Sequence, residues 1–207
     1  RGREISLQSE YVYLGVRVHA TRGLLGASDA LAVAGSKAMH AVLTRCRRAC
    51  LTQFDIKCRM FDILVEPVLS YASHIWGPAM FAKRLHSRPY DTKAESVHTS
   101  FLRIMTGSIK GVAKDVLYRD LHRTPVMYHW VVLAARWWTK MSDSRDEEPR
   151  SLASCVWRED VALALDGCQS CWSYGVLHTM SGLHLLDSNW RQQPLEWVLQ
   201  QRWQESA

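Results

Sequence analysis

The chain has 207 residues, 47% of them hydrophobic, and 26 Lys/Arg against 20 Asp/Glu give a formal net charge of +6. That apolar content can fill a core and excludes a disordered or low-complexity chain. No stretch of about 18 apolar residues occurs and the first twenty residues carry no basic-then-apolar leader, so neither a membrane span nor secretion is expected. The start at Arg1 rather than Met reads as a piece of a longer product.

The charge is unevenly spread. Residues 1–60 carry ten Lys/Arg and four Asp/Glu, residues 61–145 twelve and seven, and residues 146–207 four and nine, which divides the chain into a +11 body and a −5 tail. A basic body with a pI near 9.1 suits a polyanionic partner. The six cysteines Cys46, Cys50, Cys58, Cys155, Cys168 and Cys171, without a leader, read as reduced thiols of an intracellular protein, nuclear or cytoplasmic. Cys46, Cys50 and Cys58 stand at helix-like spacing among apolar residues and are expected to be buried.

In chain order, the first element is a strand over Tyr11–Val18. Its alternation places Val12, Leu14, Val16 and Val18 on one face and Tyr11, Tyr13 and Arg17 on the other. Ile5 and Leu7 alternate upstream and could form a partner strand. From Ser28 or Asp29 a helix is expected to about Leu51, packing Leu31, Ala34, Ala38, Val42 and Ala49. At 100° per residue Lys37, Arg45 and Arg48 fall within about 80° of one another on it, a basic stripe.

A second helix begins near Gln53 and packs Ile56, Met60, Phe61, Leu64, Val65, Val68, Leu69, Ala72, Ile75 and Trp76 before Gly77-Pro78 ends it. Pro67 inside it should kink or split it. A third helix runs from Thr92 to Met105, burying Ala94, Val97, Phe101 and Ile104, with Gly107 as terminator, and a short helix covers Lys114–His122. Thr124-Pro125 reads as a cap and first-turn proline for a helix packing Met127, Trp130, Val131, Ala134, Trp138 and Met141. The polar, proline-closed run 142–150 is the candidate linker. Helical stretches follow near 151–165, 168–180 and 194–204. The expected fold class is thus mainly α, a short N-terminal β-strand or hairpin followed by a helical bundle.

Several of these segments carry ordered motifs: Tyr13-Leu14-Gly15-Val16, Lys57-x-x-x-Phe61-Asp62-x-x-Val65-x-Pro67-Val68-Leu69-x-Tyr71, Trp76-Gly77, Glu95-x-x-His98-x-x-Phe101, Leu121-x-Arg123-x-Pro125 and Trp137-Trp138. In that order and spacing they resemble the end of the reverse-transcriptase domain of LINE-type non-LTR retrotransposons and the segment just downstream, with fainter echoes at Trp157, Asp160 and Trp172. The chain departs from the family at Ala72, where the family usually has Gly, and at His74, where it usually has Glu. The resemblance implies a β element over 1–25 like the end of the palm, a thumb-like helical domain over 26–141, the linker over 142–150, and a helical, acidic, Trp-bearing tail over 151–207.

It also implies a function: gripping an RNA–DNA or RNA template–primer duplex for an RNA-directed DNA polymerase, alongside palm and fingers missing from this chain. Polymerase chemistry uses two metal ions, Mg2+ in the full-length enzyme, held by close carboxylates. The family supplies them from an Asp-Asp pair, and no Asp-Asp occurs in this sequence. No catalytic residue is therefore expected here and the chain alone is expected to be inactive. Grip requires Lys or Arg spaced along helices that face phosphates. The candidate nucleic-acid contacts are Lys37, Arg45, Arg48, Lys57 and Arg59, with Tyr13 and Arg17 from the strand.

Two other classes remain open. A helical protein-interaction module, or an inert remnant of such an element, would use the acidic tail with Trp190, Trp197 and Trp203. A zinc-dependent nucleic-acid binder would use Cys168, Cys171, His178 and His184, four soft ligands in seventeen residues, although helical spacing would aim them apart. The remaining histidines form no recognisable nucleophile or base arrangement, and His98 is expected to pair locally with Glu95. Trp76, Trp130, Trp137, Trp138, Trp157 and Trp172 fall on apolar helix faces and are expected to pack in the core.

Overall fold

The fold is given by a computed structural model, which describes residues 8–21, 23–24, 26–85, 90–143 and 151–183. It is mainly helical behind an N-terminal hairpin. Strands β1 (Glu10–Tyr13) and β2 (Val16–His19) pair antiparallel with Tyr13 opposite Val16 and Val12 opposite Arg17. The single strand expected over Tyr11–Val18 is therefore folded in two. Leu14 (φ 47°) and Gly15 (φ 81°) make a two-residue turn in which both residues are left-handed, the twist that matches a hairpin. The turn reverses the assumed faces: Tyr11, Tyr13, Val16 and Val18 share one side, and Glu10, Val12, Arg17 and His19 the other. Tyr13 and Arg17 consequently lie on opposite sides. The partner strand expected at Ile5 and Leu7 lies outside the described residues.

Helix α1 (Ala27–Arg48) buries Ala32, Gly35, Met39, Val42, Leu43 and Cys46. The expected packing of Ala34 and Ala49 is not found; both are exposed. Gly35 explains the rotation, because a Cβ there would overlap the buried Leu69 side chain, so α1 approaches its neighbour at a residue with no side chain. Cys46 and Cys58 are buried as expected, whereas Cys50 is exposed. It ends α1 at φ 51°, and the Leu51 N–H returns to the Cys46 carbonyl at 2.9 Å.

Pro67 splits the second helix. Helix α2 (Phe54–Leu64) stops before it, α3 (Glu66–Leu69) carries it in the first turn, and α4 (Ser73–Trp76) follows a left-handed Ala72 at φ 53°, ψ 21°. Gly77-Pro78 does not end the path but opens α5 (Pro78–Arg84), since proline fits a first helical turn. These breaks turn Leu64 and Ile75, expected inside, outward at 40% and 48% exposure. The left-handed conformation costs an L-residue roughly 1–2 kcal/mol and glycine little. Ala72→Gly is therefore expected to raise stability by about 1 kcal/mol and Tm by a few degrees. An unchanged or lower Tm in a thermal melt would contradict the strain at Ala72.

Helix α6 (Lys93–Thr106) is capped as the sequence indicates: the Thr92 hydroxyl accepts the Glu95 N–H at 3.0 Å and Gly107 closes it at φ 67°. Ile104, expected in the core, is 45% exposed; Leu102 takes that place, with Glu95, His98 and Thr99 buried beside it. Helix α7 (Lys114–Asp120) is short, and α8 (Val126–Asp143) begins one residue after Pro125. Ser142 and Asp143 of the expected linker complete α8; 144–150 lie outside the described residues. Helices α9 (Leu152–Leu165) and α10 (Trp172–Gly182) follow, with α10 against α5 and α9. Through Val176, Met180 and Leu183 the α10 end shares the core of the body. The helix expected at 194–204, with Trp190, Trp197 and Trp203, lies outside the described residues.

Candidate nucleic-acid interface

The candidate cations divide according to what holds them. Lys37, Arg45 and Arg48 are all exposed on α1. At 100° per residue their stripe lies about 160° around the helix from the buried face, and at 1.5 Å per residue it runs about 16 Å along the axis. No ion pair among the described residues engages any of the three, nor Arg47 beside them. The one acid of α1, Asp29, is occupied a few turns away by Lys93 at 2.7 Å. No acid of α1 is therefore left to pair with the stripe.

The other candidates do not extend it as one surface. Lys57 is half-buried and Arg59 exposed on α2, and two residues apart they sit about 200° around that helix, so a duplex along one side meets one of them. Arg17 is held by Glu10 at 3.1 Å, on the hairpin side opposite Tyr13. Tyr13 is 59% exposed and shares its side with Tyr11, their rings 6.2 Å apart and inclined by 28°. Arg47, exposed in the last turn of α1, lies about 100° around the helix from Arg48 and so falls off the stripe.

The motif residues form the scaffold beneath. The Tyr71 hydroxyl donates to the Leu14 carbonyl at 2.9 Å, tying the hairpin turn to α3–α4. Gly15 fits this clip: a Cβ there would lie 3.3 Å from the Tyr71 ring. The Trp76 indole donates to the Tyr71 carbonyl at 2.9 Å and meets Trp130 edge to face at 4.7 Å. Phe61 lies between Phe101 at 4.4 Å and His98 at 5.0 Å. Arg123 forks onto Asp62 with both guanidinium nitrogens, Nη1 reaching Oδ2 at 2.9 Å. Burial alone would pull the Arg123 guanidinium down, and the bond to Asp62 overrides it and holds the group above its usual range. Nearby, burial first and Asp62 second lift the Glu66 carboxyl above the usual carboxylate range.

Glu95 is fully buried. One oxygen accepts the Tyr118 hydroxyl; the other accepts the Val126 N–H at 2.8 Å and so caps α8. Burial, reinforced by Glu95, pushes the Tyr118 phenol well above its ordinary value. The expected Glu95–His98 pair is an approach at 3.5 Å rather than a hydrogen bond. Farther on, Trp138 meets Trp157 at 5.3 Å and Trp172 at 6.0 Å, the Trp172 indole donates to the His74 carbonyl at 2.7 Å, and Asp160 accepts the Ser173 N–H at 2.6 Å. His74 itself is held below its ordinary range by burial.

Of the candidate zinc ligands, His184 lies outside the described residues. Among the described residues no group of three His, Cys, Asp or Glu side chains is placed to hold a metal ion. No described helix is long and apolar enough to cross a membrane. Comparison with protein-family models, with curated proteins and with solved structures finds no match to this chain.

Proposed function

We propose that this chain grips the sugar–phosphate backbone of a template–primer duplex, as a thumb-like portion of an RNA-directed DNA polymerase of the non-LTR retrotransposon type. The catalytic carboxylates belong to a palm outside these residues. The observation that carries the reading is the unpaired row Lys37, Arg45 and Arg48, opposite the buried face of α1. Phosphate contact needs charge at intervals on a rigid element and reads no base, and that row supplies it. The order of the motifs supports the polymerase assignment over other polyanion binders.

The triple variant Lys37→Gln, Arg45→Gln, Arg48→Gln is expected to bind an RNA–DNA hybrid more weakly in fluorescence anisotropy. At roughly 0.9 per phosphate contact, the slope of log K against log salt should flatten by about 3. An unchanged slope would remove α1 from the interface.

A second reading, a protein-interaction module, is favoured by Leu152, Val156 and Leu163. They are 81%, 60% and 50% exposed and fall along one side of α9. On that reading, substituting them with Ser abolishes capture of a protein partner while hybrid binding is unaffected.

A further inference from the structure

Cys168-Gln169-Ser170-Cys171 joins α9 to α10 as a tight turn, and it is the one place among the described residues where two accessible cysteines stand three positions apart. The Cys171 N–H points back at the Cys168 carbonyl at 3.5 Å and the Cys171 thiol donates to the same oxygen at 3.0 Å. A four-residue turn brings its end Cα atoms within about 7 Å, and a disulfide bridges Cα atoms roughly 4.4–6.8 Å apart. We propose that Cys168 and Cys171 are a reversible dithiol–disulfide pair, oxidised by exchange with a small disulfide such as oxidised glutathione.

The backbone around the turn is already fixed. Gly167 leaves α9 at φ 89°, the Cys168 N–H donates to the Leu163 carbonyl at 2.9 Å, and Asp160 holds the first turn of α10 through the Ser173 N–H at 2.6 Å. Closure therefore asks for rotation of two side chains and no unfolding. Neither thiol is buried. The Cys168 sulfur has the Ser170 hydroxyl at 3.3 Å, and Cys171 lines an open groove of about 760 Å³ with Leu24, Ile75, Trp76 and Lys83. The other cysteines lack this arrangement: Cys46 and Cys58 are buried, and Cys50 and Cys155 have no cysteine within three positions.

The chemistry closes. The Cys168 thiol gives its proton to solvent, and the thiolate attacks one sulfur of oxidised glutathione, breaking its S–S bond and releasing one glutathione thiolate, which takes up a proton. The Cys171 thiol then loses its proton, and its sulfur attacks Cys168 Sγ and expels the second glutathione. Two protein thiols and one oxidised glutathione become one protein disulfide and two reduced glutathiones, with two electrons passing from protein to glutathione. Oxidation removes the thiol bond to the Cys168 carbonyl and locks the turn that forms one wall of the groove.

The test equilibrates the full chain in glutathione buffers of increasing oxidised fraction, quenches with acid, alkylates and locates the modified cysteines by mass spectrometry. The expected result is that the segment holding Cys168 and Cys171 loses two hydrogens and both alkylation sites together. The Cys50→Ser, Cys155→Ser variant should keep this transition and Cys168→Ser should lose it. Circular dichroism of each variant establishes that it is folded. The proposal is overturned if both thiols stay open to alkylation at every ratio, or if Cys168 stops at a glutathione adduct. It is equally overturned if the reduced chain carries about one equivalent of zinc whose removal is needed before the thiols react.

Discussion

Phe61→Ala is expected to lower the stability of the chain by about 3–5 kcal/mol, the range for truncating a fully buried aromatic ring. Phe61 has no exposed surface and lies against Phe101 at 4.4 Å and His98 at 5.0 Å. Its removal opens a cavity that α2 cannot close by moving inward, because the next residue, Asp62, is pinned by both nitrogens of Arg123. The loss should appear as a lower urea midpoint with an unchanged slope, and as a fall in Tm on the order of 10 °C for a domain of this size. A loss under about 1 kcal/mol would mean that the α2–α6 contact relaxes freely, contrary to the packing at Phe61.

Glu95→Ala is expected to cost a similar amount, about 3–5 kcal/mol, for an electrostatic reason. Its carboxylate accepts from the Tyr118 hydroxyl and the Val126 N–H and joins α6, α7 and α8. Alanine leaves the buried N-terminus of α8 without its acceptor and takes from the Tyr118 phenol its carboxylate partner, so that only the Thr99 hydroxyl at 3.3 Å remains to it. Glu95→Gln keeps the shape and one acceptor oxygen and should cost less, about 1–3 kcal/mol. A double-mutant cycle with Tyr118→Phe isolates the shared bond. A coupling of 0.5 kcal/mol or more is expected, and additivity would show that Glu95 and Tyr118 act independently.

The helices were legible where a local signal fixes a local shape. Thr92 and Gly107 bound α6, Pro67 divides α2 from α3, and 100° spacing alone placed Lys37, Arg45 and Arg48 on one exposed side of α1. The hairpin was half legible. Alternation marked extended chain, yet Leu14 is not a turn residue by type, and its left-handed conformation is stabilised by Tyr71, 57 positions away. The face of α1 was misread because periodicity counts apolar side chains, and the closest approach there is made at Gly35, which has none.

The candidate site divides in the same way. Charge and spacing gave the α1 row, whereas the ion pair of Arg17, the opposed directions of Lys57 and Arg59, and the Arg123–Asp62 fork arise only once distant segments meet. Several of the residues that carry the family resemblance are fasteners. Phe61, Asp62, Tyr71, Trp76, Glu95 and Arg123 hold elements together, and the basic row lies outside their motifs.

The most direct test of the grip is the affinity of the unaltered chain for a labelled RNA–DNA hybrid across a salt series, read by fluorescence anisotropy. Three phosphate contacts from Lys37, Arg45 and Arg48 predict binding at low salt, with log K falling against log salt at a slope of about −2.7 or steeper. No binding at low salt, or binding indifferent to salt, would contradict the account.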